Sequence, residues 1–151
     1  MFSITIRKGK KEELDWVTQT YQKIQFALSV FERELIAIAE TDEKIRVGLG
    51  RLVQLDSEHA ELGGIFVDKA YRKQGIAGQI VSFLLNHSAE YKIIYCLPFH
   101  HLEVFYQQFG FTLVTKEHLI PQEIQKKWHW CQTQYSKKVS LLFLSTKERN
   151  S

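Results

Sequence analysis

The hydrophobic period changes twice between Ala60 and Leu97, and this limits the fold more than any other feature of the chain. Ala60–Val67 reads as an apolar strand. Ile76, Ile80, Phe83 and Leu84 then fall at helical spacing over Ile76–His87. Lys92–Leu97 is again an apolar strand, with the composition of one buried on both faces. Strand, helix, strand in that order implies a parallel pair joined by a right-handed crossover.

The flanking segments extend this unit into a larger sheet. Ser3–Arg7 alternates as a strand, and Lys10–Ile24 places Leu14, Val17, Tyr21 and Ile24 on one helical face. Phe26–Phe31 is apolar and irregular, a loop or a second short helix. Glu34–Glu40 and Ile45–Leu55 are strands that form an antiparallel meander with Ala60–Val67, and Gly48 and Gly50 suggest a bend or bulge. Beyond Pro98, His100–Phe109 reads as a helix with Leu102, Phe105, Tyr106 and Phe109 on one face, closed by Gly110. A strand over Phe111–Val114, a helix after Pro121 with Ile124, Trp128 and Cys131 on one face, and a strand over Val139–Ser145 complete the chain. The expected class is α+β (mixed α/β): a central mixed, mostly antiparallel sheet of about seven strands with flanking helices. At 151 residues, one domain over 1–151 is expected.

Composition removes several function classes. The 20 Lys+Arg against 17 Asp+Glu are scattered, not gathered into a basic stripe, which argues against nucleic acid. Cys96 lies in an apolar run, and neither cysteine has zinc-site or Cys-x-x-Cys neighbours. His129 and Cys131 alone are too few ligands for a metal. The sequence shows no signal peptide and no window long and apolar enough to span a membrane. Cytoplasmic location with reduced thiols is the expectation.

The chemistry concentrates at Tyr71–Gly78, where the apolar strand turns into the helix. Gly75 and Gly78 remove Cβ atoms where a ligand would approach. The amides of Lys73–Gly78 point outward at a helix N-terminus, which carries about half a positive charge. Consecutive amides aimed at one point form an anion nest, and Arg72 and Lys73 add mobile positive charge. A pyrophosphate suits these elements. The Walker A and Gly-x-Gly-x-x-Gly patterns are absent.

Ile65-Phe66-Val67-Asp68-Lys69-Ala70-Tyr71-Arg72-Lys73-Gln74-Gly75-Ile76-Ala77-Gly78 resembles the central motif of the GCN5-related N-acetyltransferases (GNAT), whose core Arg/Gln-x-x-Gly-x-Gly/Ala is met by Arg72, Gly75 and Ala77. Phe105-Tyr106-Gln107-Gln108-Phe109-Gly110-Phe111 resembles the family's later Tyr-x-x-x-Gly-Phe motif. The element order matches over nearly the whole chain.

The resemblance implies acetyl-CoA as cosubstrate and an amine, small-molecule or protein, as acceptor. Backbone groups of Ile65, Phe66 and Val67 would pair with pantetheine, and an amide there would polarise the thioester carbonyl. Such an oxyanion donor contributes about 2.7–4 kcal/mol. The turn that includes Arg72 would hold the pyrophosphate on the amides of Lys73, Gln74, Gly75, Ile76, Ala77 and Gly78. Tyr106 matches the tyrosine that protonates the departing thiolate; the alternative is a core aromatic. Glu61 is the first candidate for the base that deprotonates the amine, against a solvated strand carboxylate; Glu34 and Glu40 follow. Pro98-Phe99-His100-His101 lacks the asparagine common early in the family's next helix. Lys116–Lys138, with Trp128 and Trp130, exceeds the family's short hairpin and could wall the acceptor pocket, form a homodimer contact or cover the sheet edge. Gln25–Phe31 would also face the acceptor. The second functional reading is a coenzyme A-binding sensor or interaction module without turnover.

Overall fold

Alternation of large and small side chains builds the first part of the sheet. The computed structural model describes residues 3–24, 26, 31–116 and 119–146. Strands β1 (Ile4–Lys8), β2 (Glu34–Thr41), β3 (Arg46–Gln54) and β4 (His59–Val67) come first, with helix α1 (Leu14–Lys23) between β1 and β2 and helix α2 (Ile76–Asn86) after β4. Ile38 lies opposite Leu49, Ala37 opposite Gly50 and Ala39 opposite Gly48. Side chains alternate across a strand. Ile36, Ile38 and Leu49 therefore pack together with Val17 and Tyr21 of α1. The small residues turn to α2. A Cβ on Gly50 would lie 2.6 Å from Ile65 Cδ1 and 2.7 Å from Ile80 Cγ2. Gly50 thus serves close packing of the helix. The bend or bulge expected at Gly48 and Gly50 falls beside Gly48 only: the register shifts between Ala39, opposite Gly48, and Glu40, opposite Arg46, while Gly50 stays in register opposite Ala37.

The remaining strands are β5 (Ile93–Cys96), β6 (Thr112–Leu113) and β7 (Leu142–Ser145), with helices α3 (Glu103–Gln107) and α4 (Gln122–Gln134). The seven strands run in the order β1-β2-β3-β4-β5-β7-β6. β7 pairs antiparallel with β5 and with β6. The amides of Lys92 and Ile93 both donate to Glu58 O, at 2.7 and 3.2 Å, which sets the starts of β4 and β5 side by side as a parallel pair requires. The sheet is mixed, in an α+β fold.

Two compact units divide the chain: Met1–Gln54 with Leu62–Ser88, and Leu55–Glu61 with Ala89–Ser151. The second has its own core, in which Tyr95, Ile120, Ile124 and Leu141 pack with Leu55 and Trp128. Trp128 Nε1 donates to Val139 O at 3.0 Å, which fastens this half-buried tryptophan against the core of that unit. Trp130 is exposed.

Several elements are shorter than the sequence suggests. The helix expected over His100–Phe109 is a 3-10 turn, His100–Leu102, followed by the five residues of α3. A 3-10 turn advances three residues per turn. That rotates Leu102 off the buried face, and it is 37% exposed. Pro121 stands at the N-cap of α4, one position before the first turn. Most of residues 25–31, expected to face the acceptor, lie outside the described residues.

A buried acid ties the first helix to the sheet. Arg7 donates to both Glu13 oxygens at 2.8 and 2.9 Å and to Glu40 at 3.1 Å, while Arg46 Nε lies 2.9 Å from Glu13. The Arg7 hydrogen bond, followed by that of the Lys10 amide, lowers Glu13 from 4.5 to about 2 against its desolvation. A carboxyl with a folded pKa below its unfolded value stabilises the fold above the unfolded value and loses that contribution as pH falls. Thermal unfolding monitored by circular dichroism should therefore show stability declining from about pH 4.5 down to about 2. Glu13→Gln should cost about 1–3 kcal/mol at neutral pH and flatten that part of the acid slope. An unchanged slope would remove Glu13 as its source.

Candidate functional site

In the first unit, β4 ends at Val67 and the chain enters the turn through a 3-10 segment, Lys69–Tyr71. The Asp68 amide donates to Val47 O at 2.7 Å, and the Tyr71 amide to Asp68 O at 2.8 Å. Arg72 was expected to offer mobile charge. Its Nε instead donates to Val67 O at 2.9 Å, and its guanidinium lies 6.0 Å from the centre of the Phe66 ring. One edge of this side chain fastens the turn to the strand end.

Lys73 has φ 65° and Gly75 φ 79°, so two left-handed residues flank Gln74. Alternation of this kind turns successive amides toward a common point. Gly75 caps α2 without a side-chain acceptor for the first turn. The first helical hydrogen bond runs from the Gln79 amide to Gly75 O at 3.1 Å. The amides of Gly75, Ile76, Ala77 and Gly78 are therefore the four that a helix start leaves without intrahelical partners. Arg72–Gly75 are exposed, whereas Ile76 is buried and anchors the turn in the core. A Cβ on Gly75 would meet nothing within 4 Å, so the space beside the turn at that position is open. The left-handed Lys73 carries no sequence signal, because only glycine and, less strongly, asparagine advertise that conformation.

Upstream of the turn, Ile65 and Phe66 are half-buried and Val67 is buried on β4. Ile65 points toward Gly50 and Phe66 packs with the α1 cluster, as strand alternation requires.

In the second unit, Tyr106 lies on α3 and is 5% exposed. Its ring meets Phe105 and Phe111 edge to face, at 4.9 and 6.1 Å between centres. The apolar body of the residue is fixed by these contacts.

Glu61 is neither solvated nor open. It is 5% exposed, and both its oxygens accept from Lys127 Nζ at 2.8 Å. Lys127 belongs to α4, so the insertion supplies the partner. Cys96 and Cys131 stand near this pair and are free and buried. Burial, then the Glu61 carboxylate, pushes the Cys96 thiol well above its usual range. Burial also raises Cys131. Both thiols are held protonated, which suppresses their reactivity. Sequence reading named Glu61 and Cys131 but missed Lys127, which lies four residues before Cys131.

Where the asparagine is lacking, His100 Nδ1 lies 3.0 Å from Glu103 Oε1. The same oxygen accepts from Ser140 Oγ. The Ser140 hydrogen bond, then that of His100, offsets desolvation and lowers Glu103. Glu40, a further base candidate, is engaged by Arg7, which lowers it. Glu34 Oε1 lies 3.9 Å from Arg51 Nη1. Among the described residues no cluster of three or more His, Cys, Asp or Glu could hold a metal ion, and no helix is long and apolar enough to cross a membrane.

The sequence profile of the acetyltransferase (GNAT) domain matches residues 32–113. No curated protein matches the sequence. Among solved structures, the Mycobacterium tuberculosis protein Rv2747 in complex with CoA is similar with a TM-score of 0.71 at 20% identity, covering 93% of this chain and 98% of that one. A GNAT family acetyltransferase from Elizabethkingia anophelis with acetyl-CoA bound has a TM-score of 0.66 at 17% identity, covering 94% and 97%. N-acetylglutamate synthase from Neisseria gonorrhoeae, complexed with coenzyme A and N-acetyl-glutamate, has a TM-score of 0.71 at 11% identity; 95% of this chain matches 35% of that one.

Proposed function

The chain belongs to the GNAT acetyltransferase family, and from that premise we propose that it transfers an acetyl group from acetyl-CoA to an amine by direct attack on the thioester. The observation that carries this reading is the turn Arg72–Gly78, in which exposed Arg72–Gly75, with left-handed Lys73 and Gly75 on either side of Gln74, lead into the four helix-start amides of Gly75–Gly78. Pyrophosphate would lie on those amides, with Lys73 and the free edge of Arg72 adding charge. Pantetheine would follow the backbone of Ile65, Phe66 and Val67.

The reaction forms a carbon–nitrogen bond and breaks the carbon–sulfur bond. The attacking amine must first be neutral, and the departing thiolate gains a proton. We assign that proton to the Tyr106 hydroxyl, with the ring held by Phe105 and Phe111. Glu61 can take the amine proton only in a state in which Lys127 Nζ has moved off its carboxylate, because both its oxygens accept from that ammonium. The buried, protonated thiols fit a reducing compartment such as the cytoplasm.

Thiol release from acetyl-CoA across a panel of small amines and lysine peptides tests the proposal. Tyr106→Phe should lower kcat by about 10²–10⁴-fold with little change in coenzyme A affinity, the range for loss of a general acid. Coenzyme A binding without turnover across the panel would favour the sensor reading, and an unaffected kcat would remove Tyr106 from the chemistry.

A further inference from the structure

A buried tyrosine of the first helix touches the strand that the proposed function assigns to the thioester. Tyr21 is fully buried, and its hydroxyl donates to Gly64 O at 2.8 Å. Gly64 has φ 61°, a left-handed conformation inside β4. A Cβ there would lie 2.5 Å from the Tyr21 hydroxyl and 3.1 Å from Arg51 Nε. Glycine is therefore required twice, by the backbone angle and by the group beneath it.

The tyrosine is itself wedged. The Arg51 guanidinium sits 4.3 Å above the ring centre, and Arg51 is 5% exposed. Arg51 Nη1 lies 3.9 Å from Glu34 Oε1, so α1, β2 and β3 all bear on one peptide of β4. Burial raises the pKa of the Tyr21 hydroxyl far above neutral and keeps it a donor, outweighing the nearby Arg51.

A trans peptide is planar, and its C=O and N–H point in opposite directions. The carbonyl of Gly64 and the amide of Ile65 belong to one such unit. Holding the carbonyl toward Tyr21 turns the Ile65 N–H to the opposite side. We propose that Tyr21 is a positioning residue of the transfer reaction: through Gly64 it aims the Ile65 amide at the thioester carbonyl, where negative charge develops. The inference rests on the reading that acetyl-CoA lies along Ile65–Val67. The gain comes from aim, because an oxyanion donor contributes only when directed at the developing charge.

The test uses acetyl-CoA labelled with ¹³C at the thioester carbonyl, bound to the full chain without acceptor. In the wild-type protein the infrared carbonyl stretch should shift to lower frequency than in free acetyl-CoA. In Tyr21→Phe it should return toward the free value. The kcat for thiol release with the best amine of the panel should fall about tenfold to a hundredfold, less than outright loss of a donor. Affinity for coenzyme A, which has no thioester carbonyl, should stay within about threefold, under 0.7 kcal/mol.

An unmoved stretch and kcat would overturn the inference. So would a parallel fall in kcat and coenzyme A affinity, which marks a strut without an aiming role. If Tyr21→Phe does not fold, Tyr21→4-aminophenylalanine keeps a donor at the same place and should keep both stretch and kcat near wild type; their loss would overturn the inference. Failure of wild-type protein to bind acetyl-CoA overturns the parent reading and this one together, whereas binding with an unmoved stretch overturns this one alone.

Discussion

Gly75→Glu should weaken coenzyme A binding about a hundredfold, read by calorimetry. Two effects add. A non-glycine residue at a left-handed position costs about 1–2 kcal/mol, and Gly75 has φ 79°. The new side chain also enters open space at the anion turn, since nothing lies within 4 Å of its Cβ. A carboxylate there is an intramolecular competitor for the anion site and repels a pyrophosphate by about 1–2 kcal/mol at surface dielectric. Gly75→Ala separates the two effects, because it carries the backbone strain without the charge. It should lose about tenfold. Dephospho forms of the ligand should show the same ratio between variant and wild type if pyrophosphate is the group held. Unchanged affinity in the glutamate variant would sink the assignment of this turn to phosphate.

The second large effect is expected at the buried Glu61–Lys127 pair. Lys127→Met should destabilise the protein by about 2–4 kcal/mol, which for a chain of this length lowers the thermal midpoint by about 5–15 °C. The substitution leaves Glu61 buried with neither oxygen facing an ammonium. Breaking a fully buried pair costs about 3–5 kcal/mol. The Lys127 side chain is 32% exposed, so solvent reaches the site and trims that figure. The double variant Glu61→Leu, Lys127→Met should recover most of the loss, because desolvation of the charges disappears with them. Differential scanning calorimetry of the single and double variants gives the coupling. A near-neutral Lys127→Met would mean that the pair is solvated in solution and that Glu61 is freer to act as a base.

These two expectations differ in how far the sequence discloses them. Gly75 stands in a motif, at a change of hydrophobic period, before a helix. Each of those is a local property, and local properties survive in a one-dimensional string. The same holds for the alternation Ile36-Ala37-Ile38-Ala39, which foretells one sheet face for large residues and one for small. Helix α3 was less legible, because a 3-10 turn and an α turn share the same residue preferences and differ only in how the chain is wound.

Glu61 and Lys127 are 66 residues apart, and neither residue type nor spacing links them. The link exists because β4 carries the carboxylate into a core and α4 brings an ammonium to meet it. Burial then makes pairing obligatory. Arg72 shows the same limit at shorter range. Its charge is legible, but only the closed turn shows that its Nε bonds to the end of the strand.

The sequence by itself determined the order of elements, the glycine-bearing turn before α2 and the family, since periodicity and glycine spacing act within a few residues. The tertiary structure alone decided that Glu61 faces Lys127, that Lys73 is left-handed beside Gly75, and that Tyr21 reaches Gly64 across 43 residues. Those facts depend on which groups lose their water together, and that is settled only when separate elements close on one another.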